Sequence, residues 1–275
     1  MIIDTHHHFW KYNPVDFAWI NDDMANIRRN FLPADLQQTI TETQVTGVVS
    51  VQARQCLEET GWLLKMASEN GFIKGIVGWV PLAAGNIQTV LDQYSAFDLL
   101  KGVRHVVQAE TDPDFILGKD FNHGVNLLAK YNLVYDILIY EHQLPNTIRF
   151  VDQHPNQIFV LNHIAKPRIK ENKLNPWQKH IFELSQRENV YCKISGMVTE
   201  ADFTAWTVEQ LQPYVNVVLE SFGPQRLMFG SDWPVCLVAT TYKNWVEMVK
   251  SQISALSKTE QQLILYQNAT KVYRL

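Results

Sequence analysis

An eightfold alternation constrains this chain most. Short apolar runs rich in Val, Ile, Leu and aromatics recur at Ile2–His6, Gly47–Gln52, Ile73–Val80, Gly102–Val107, Leu133–Ile139, Ile158–Asn162, Val190–Ile194 and Leu227–Gly230. Several are almost continuously apolar, as strands buried on both faces of a parallel sheet must be. Helical periodicity fills the gaps. Leu63, Leu64 and Ala67 share one face, as do Ile87, Val90, Leu91 and Tyr94. Further helices are expected near Ala34–Gln44, Asn122–Tyr131, Gln143–Gln153, Pro176–Arg187, Val208–Ser221 and Tyr242–Leu256, and a ninth, Thr259–Tyr273, ends the chain. Right-handed crossovers set each new strand beside the last, so eight such units predict an α/β fold of the closed (β/α)8 TIM-barrel kind. A doubly wound open sheet is the runner-up. It normally carries a glycine-rich phosphate loop after its first strand, where this chain has His6-His7-His8.

With 46% hydrophobic residues the chain can fill a large core, and no low-complexity linker divides it, so one domain over 1–275 is expected. The net charge of −4 and the absence of any Lys/Arg block argue against nucleic-acid or anionic-membrane partners. No signal-peptide pattern opens the chain, and no run approaches the roughly 18 apolar residues of a membrane span. Three widely spaced cysteines (Cys56, Cys192 and Cys236) suit a reducing cytoplasm and read as inert thiols. The aromatic segment Trp10–Pro33 is long for a strand-to-helix connection, and reads equally as a lid over the barrel mouth or a packed loop.

Catalytic groups in such barrels come from the C-terminal ends of strands. The first strand ends in His6-x-His8, whose alternate positions point to one side. The sixth ends in Asn162-His163 and the eighth in Gly230-Ser231-Asp232-Trp233. One histidine or aspartate at a strand end is ordinarily structural. Three histidines and an aspartate at the ends of strands one, six and eight supply a base and several ligands or donors in one mouth. Arg104 ends strand four, where its planar fork suits substrate oxygens or a developing oxyanion. Gln52 and Arg54 end strand two and Trp79 ends strand three; each is a candidate for lining the pocket, with Trp79 read equally as packing. Trp233 is expected to wall the pocket, and Lys193, inside a strand, demands a partner.

Asp4-Thr5-His6-His7-His8-Phe9-Trp10, Gly102-Val103-Arg104-His105, Asn162-His163-Ile164-Ala165-Lys166-Pro167, Lys193-Ile194-Ser195-Gly196, Phe229-Gly230-Ser231-Asp232-Trp233-Pro234 and Asn268-Ala269-Thr270-Lys271-Val272-Tyr273 together resemble the amidohydrolase superfamily. The likeness runs from residue 2 to the C-terminus and is strongest to its sugar-lactonase branch. It implies an amidohydrolase-type barrel that opens a small lactone, of the L-fucono or L-rhamnono type, to the aldonic acid. By that resemblance Asp232 activates the water, His163 assists it, and His6 and His8 bind metal or polarise the carbonyl. Superfamily members with metal usually add a strand-five ligand, which Tyr140-Glu141-His142 does not cleanly supply. His6, His8 and Asp232 could hold zinc or manganese, yet the resemblance does not require a metal. It also implies a homodimer. Two other readings keep the barrel: a metal-dependent decarboxylase of an aromatic or unsaturated acid, and a binding protein without catalysis, whose signature would be loss of Asp232 or His163.

Overall fold

The computed structural model describes residues 1–275. Its eight strands are β1 (Ile2–His7), β2 (Val45–Val51), β3 (Ile73–Gly78), β4 (Leu100–His105), β5 (Val134–Ile137), β6 (Phe159–Leu161), β7 (Val190–Ile194) and β8 (Leu227–Phe229). They lie side by side in sequence order, and every pair is parallel. Helices α1 (Pro33–Ile40), α2 (Leu57–Glu69), α3 (Ile87–Tyr94), α4 (Lys119–Leu128), α5 (Leu144–Asp152), α6 (Trp177–Ser185), α7 (Val208–Phe222) and α8 (Tyr242–Gln252) follow the strands in turn. The chain therefore folds as the (β/α)8 barrel that the alternation predicts.

The seam between β8 and β1 closes just beyond the strands. His8 N donates to Trp233 O at 2.7 Å and Asp232 N to His6 O at 2.7 Å. Asp4 reinforces the seam from below: Ser231 N donates to its Oδ1 at 2.8 Å and Tyr242 to its Oδ2 at 3.0 Å. The bonds that close the barrel thus involve residues of the candidate site itself.

Inside the barrel Ile3, Val49, Val51, Val77, Val134, Val160 and Met228 pack with Ala269, Val272 and Tyr273 from the chain's end. The larger cluster lies between the sheet and its helices. Ile3 faces inward, and so does His6, three residues on and of opposite parity for a regular strand. A register irregularity between Asp4 and His7 accounts for the switch.

Two segments differ from expectation or resolve it. The single terminal helix predicted over Thr259–Tyr273 divides into α9 (Lys258–Gln262), a π-turn at Leu263–Gln267 and α10 (Asn268–Tyr273). Asn268 Nδ2 in α10 bonds Pro224 O and Leu227 O, both at 2.8 Å, and Tyr273 reaches the barrel interior. Beyond β1, Trp10, Phe17 and Phe31 are buried, and Trp10 and Phe31 meet edge to face. Trp19 remains 46% exposed. The segment packs by its buried aromatics and leaves Trp19 at the barrel mouth. Asn26 Nδ2 ties it to Leu237 O at 2.7 Å, in the neighbouring loop after β8. No helix is long and apolar enough to cross a membrane.

Candidate active site

The structure brings His6, His8, His163 and Asp232 together. Asp232 Oδ1 lies 3.4 Å from His8 Nε2 and 3.8 Å from both His6 Nε2 and His163 Nε2. A cavity of about 240 Å³ opens above them, its polar walls formed by His8, Arg104, Gln108, His163, Lys166 and Asp232. Trp19 and Leu138 are among its apolar walls.

Strained backbone aims the reacting groups. His163, Ile164, Ala165 and Lys166 all have positive φ, and Asp232 has φ of 58°. Such a conformation costs roughly 1 kcal/mol or more per non-glycine residue, most for a β-branched residue such as Ile164. Neighbours hold it in place. Trp177 Nε1 donates to Ile164 O at 2.7 Å, and Ser195 Oγ lies 2.9 Å from His163 Nδ1. Gly196, with φ of 61°, passes so close that a Cβ there would fall 2.4 Å from His163 Nδ1. Only glycine fits beneath that imidazole.

A polar network underlies the cluster. Arg104 Nη1 lies 3.2 Å from His6 Nε2 and from Asn162 Oδ1, while Nη2 donates to Gln52 O and, at 2.9 Å, to Gln52 Oε1. Lys193 Nζ sits 3.4 Å from His6 Nδ1 and 2.6 Å from Asp136 Oδ2. Asp136 also accepts from Asn162 Nδ2 at 2.9 Å and from Tyr273 at 2.7 Å. All these groups are buried. The lysine that the sequence leaves without a partner is therefore matched by a carboxylate two strands away.

These surroundings set the protonation states. Burial, then the charges of His163, Lys193 and Arg104, push His6 well below the ordinary imidazole range. Burial lowers His8 and brings His163 down to about 3. Burial works against ionising Asp232, but His163, His8 and Lys166 outweigh it and hold the carboxyl below its ordinary value. At neutral pH the cluster is one carboxylate among neutral imidazoles.

His8 Nδ1 stands 2.8 Å from Val51 O and so carries its hydrogen there. Its Nε2 lone pair then faces Asp232 Oδ1, and two acceptors at 3.4 Å call for a proton or a cation between them. The ligand atoms of His6, His8 and Asp232 all lie within 4.8 Å of one another. Adjacent ligands of tetrahedral zinc are about 3.4 Å apart, so the 3.4 and 3.8 Å separations suit that ion. The backbone carbonyl behind His8 is the usual support of a ligating imidazole. The donor set fits a divalent metal, with Arg104 sharing the His6 edge.

Four candidate pocket residues are not brought to the cavity wall. Gln52 is wholly buried and holds Arg104. Arg54 pairs with Asp16 at 3.2 Å and lines a separate cavity with Trp10, Phe17 and Trp62. Trp79 turns its Nε1 to His105 Nδ1 at 3.4 Å. Trp233 is buried against Phe9, Phe31 and His7, behind the site. Arg104 reaches the cavity with both terminal nitrogens already engaged and Nε unpaired. Sequence reasoning missed Trp19, Gln108 and Asp136. Asp136, an acid inside an otherwise apolar strand, was the readable signal among them.

The amidohydrolase family model matches residues 3–275. The L-fucono-1,5-lactonase of Burkholderia multivorans is 36% identical over 99% of this chain and 96% of its own. The L-rhamnono-gamma-lactonase of Scheffersomyces stipitis is 26% identical over 74% of this chain and 69% of its own. A crystal structure of a Burkholderia multivorans amidohydrolase with bound zinc superposes with a TM-score of 0.97 at 35% identity, covering 100% of this chain and 99% of that one.

Proposed function

The chain belongs to the amidohydrolase family, and on that premise we propose that it hydrolyses the ring ester of a small sugar-acid lactone to the open hydroxy acid. One observation carries the reading: three imidazole nitrogens stand within 3.8 Å of one carboxylate oxygen at the mouth of a barrel 36% identical to an L-fucono-1,5-lactonase.

In this reading Asp232, with His163 beside it, takes a proton from water as the oxygen adds to the lactone carbonyl carbon. The carbonyl oxygen becomes an oxyanion, favoured by the fixed positive field of Arg104. Collapse breaks the ring C–O bond, and the proton held by Asp232 passes to the departing ring oxygen, leaving a hydroxyl and a carboxylic acid. Lactone plus water balances product without any redox partner. His6, His8 and Asp232 are the residues that would hold a divalent ion, which when bound would polarise the carbonyl and acidify the water. Without an ion, Arg104 and Lys193 flank His6 and keep it neutral and oriented.

The test is a pH-indicator assay over a panel led by L-fucono-1,5-lactone and L-rhamnono-gamma-lactone. Wild-type, chelator-treated and zinc-supplemented protein are run beside Asp232→Asn. Acid release that falls at least ~1,000-fold in Asp232→Asn is expected from loss of the base. A panel with no turnover above background, with or without zinc, would sink the proposal. Activity that survives chelation would place the reaction on the protein's own groups.

A further inference from the structure

Gln108 belongs to the turn that follows β4, and its backbone is fixed on three sides. Gln108 N donates to Leu138 O at 3.1 Å, Gln143 Nε2 to Val107 O at 3.1 Å, and Val106 N to Gln55 Oε1 at 2.7 Å. The side chain ends differently. It lines the catalytic cavity, and its Oε1 is buried without any hydrogen-bond partner. Buried amide groups are almost always paired and an unpaired one is costly, so turning this amide to meet an occupant of the cavity that Gln108 lines would be favourable.

The neighbouring charges narrow what that partner can be. Arg104 is committed to Gln52, Asn162 and His6. Lys166 pairs with Glu200 at 3.7 Å, and Asp232 belongs to the reacting cluster. The wall away from that cluster offers a second anionic group no cation without an existing partner, save the buried Arg104 Nε. An amide is at once donor and acceptor, which suits a ring hydroxyl or two adjacent ones. Trp19 and Leu138 offer apolar surface to carbon–hydrogen faces in the same cavity. We propose that Gln108 reads the substrate's ring hydroxyls, so that the site selects neutral polyhydroxylated rings over bare or dianionic ones. The inference rests on the hydrolytic reading for its rate test and deepens it, while its binding test stands apart.

The experiment compares wild type with Gln108→Met, which keeps the side chain's length and removes its polar groups. The kcat/KM for L-fucono-1,5-lactone should fall roughly 10- to 100-fold, the loss expected when a buried ring hydroxyl is left without its partner. That for unsubstituted δ-valerolactone should stay within about twofold. Equal losses on both lactones would make Gln108 a support of the turn and overturn the proposal, as would no loss on either. Calorimetry with a trihydroxylated piperidinone and with plain 2-piperidinone provides the arm without turnover. Wild type should prefer the hydroxylated lactam, and Gln108→Met should lose that preference. If it does so while no lactone is hydrolysed, the hydrolytic reading falls and this inference holds. A wild type without the preference overturns the inference.

Discussion

His163 and Asp232 both reach the cavity from left-handed backbone, so the site stores strain at the two residues assigned to handle the water. Gly196 is the permissive element under His163. Gly196→Ala must either displace the imidazole or leave its φ of 61°, and it should lower kcat by one to two orders of magnitude with a smaller change in KM. Steady-state kinetics on the folded variant decide this, and unchanged kcat would contradict it. A second residue-scale expectation concerns pH. Burial lowers His163 to about 3, so its neutral form persists through the whole weakly acid range. The rate should therefore show no acid limb near 6.5 between pH 5 and 8, where a solvent-exposed histidine would produce one. A limb at 6–7 that disappears in His163→Gln would show that the imidazole titrates normally.

Elements differ in how much of them can be read from the chain. The strands were legible because burial on both faces leaves apolar runs with few alternatives, and the convergence of His6, His8, His163 and Asp232 was legible because side chains at the ends of barrel strands share one mouth. Trp19 and Gln108 were not, because they stand on loops whose conformation follows no period and depends on distant partners such as Leu138 and Gln143. The same limit misplaced Arg54 and Trp79: strand-end position fixes neither which way a side chain turns nor whether Asp16 or His105 engages it first. Helical periodicity likewise foresaw a terminal helix but not its π-turn. At this scale Trp19→Ala should raise KM several-fold and leave kcat nearly unchanged, since the segment Trp10–Pro33 supplies a wall and no reacting group. A collapse of kcat instead would make the loop part of the catalytic assembly. The end of α10 makes a complementary case. Tyr273→Phe removes one bond to the buried Asp136 and should cost about 1–3 kcal/mol, with KM unchanged. Chemical denaturation reads the stability, and a neutral result would mean that Lys193 and Asn162 alone satisfy the carboxylate.

At the scale of the whole molecule, stability depends on where the fold encloses ionisable groups. Glu59 in the first turn of α2 is the clearest instance. Its carboxyl accepts from Ala53 N at 2.9 Å and Arg54 N at 2.8 Å, fixing the loop that leaves β2. Burial outweighs those bonds and raises it from 4.5 to about 7. In the unfolded chain the group ionises above pH 4.5, whereas the folded protein keeps it protonated to about pH 7. Folding is thus favoured by this group at low pH, loses that advantage progressively between these two values, and changes no further above them. The span corresponds to about 3 kcal/mol at most. Glu59→Gln preserves an oxygen for both backbone donors and removes the titration. Relative to wild type, the variant should be about equally stable at pH 4.5 and more stable by up to about 3 kcal/mol at pH 8, a difference of several degrees in Tm. Paired denaturation curves at the two pH values measure it directly. A variant less stable than wild type at pH 8 would mean that the ionised carboxylate's bonds to Ala53 and Arg54 exceed the penalty of burying it, and that this helix start depends on the charge.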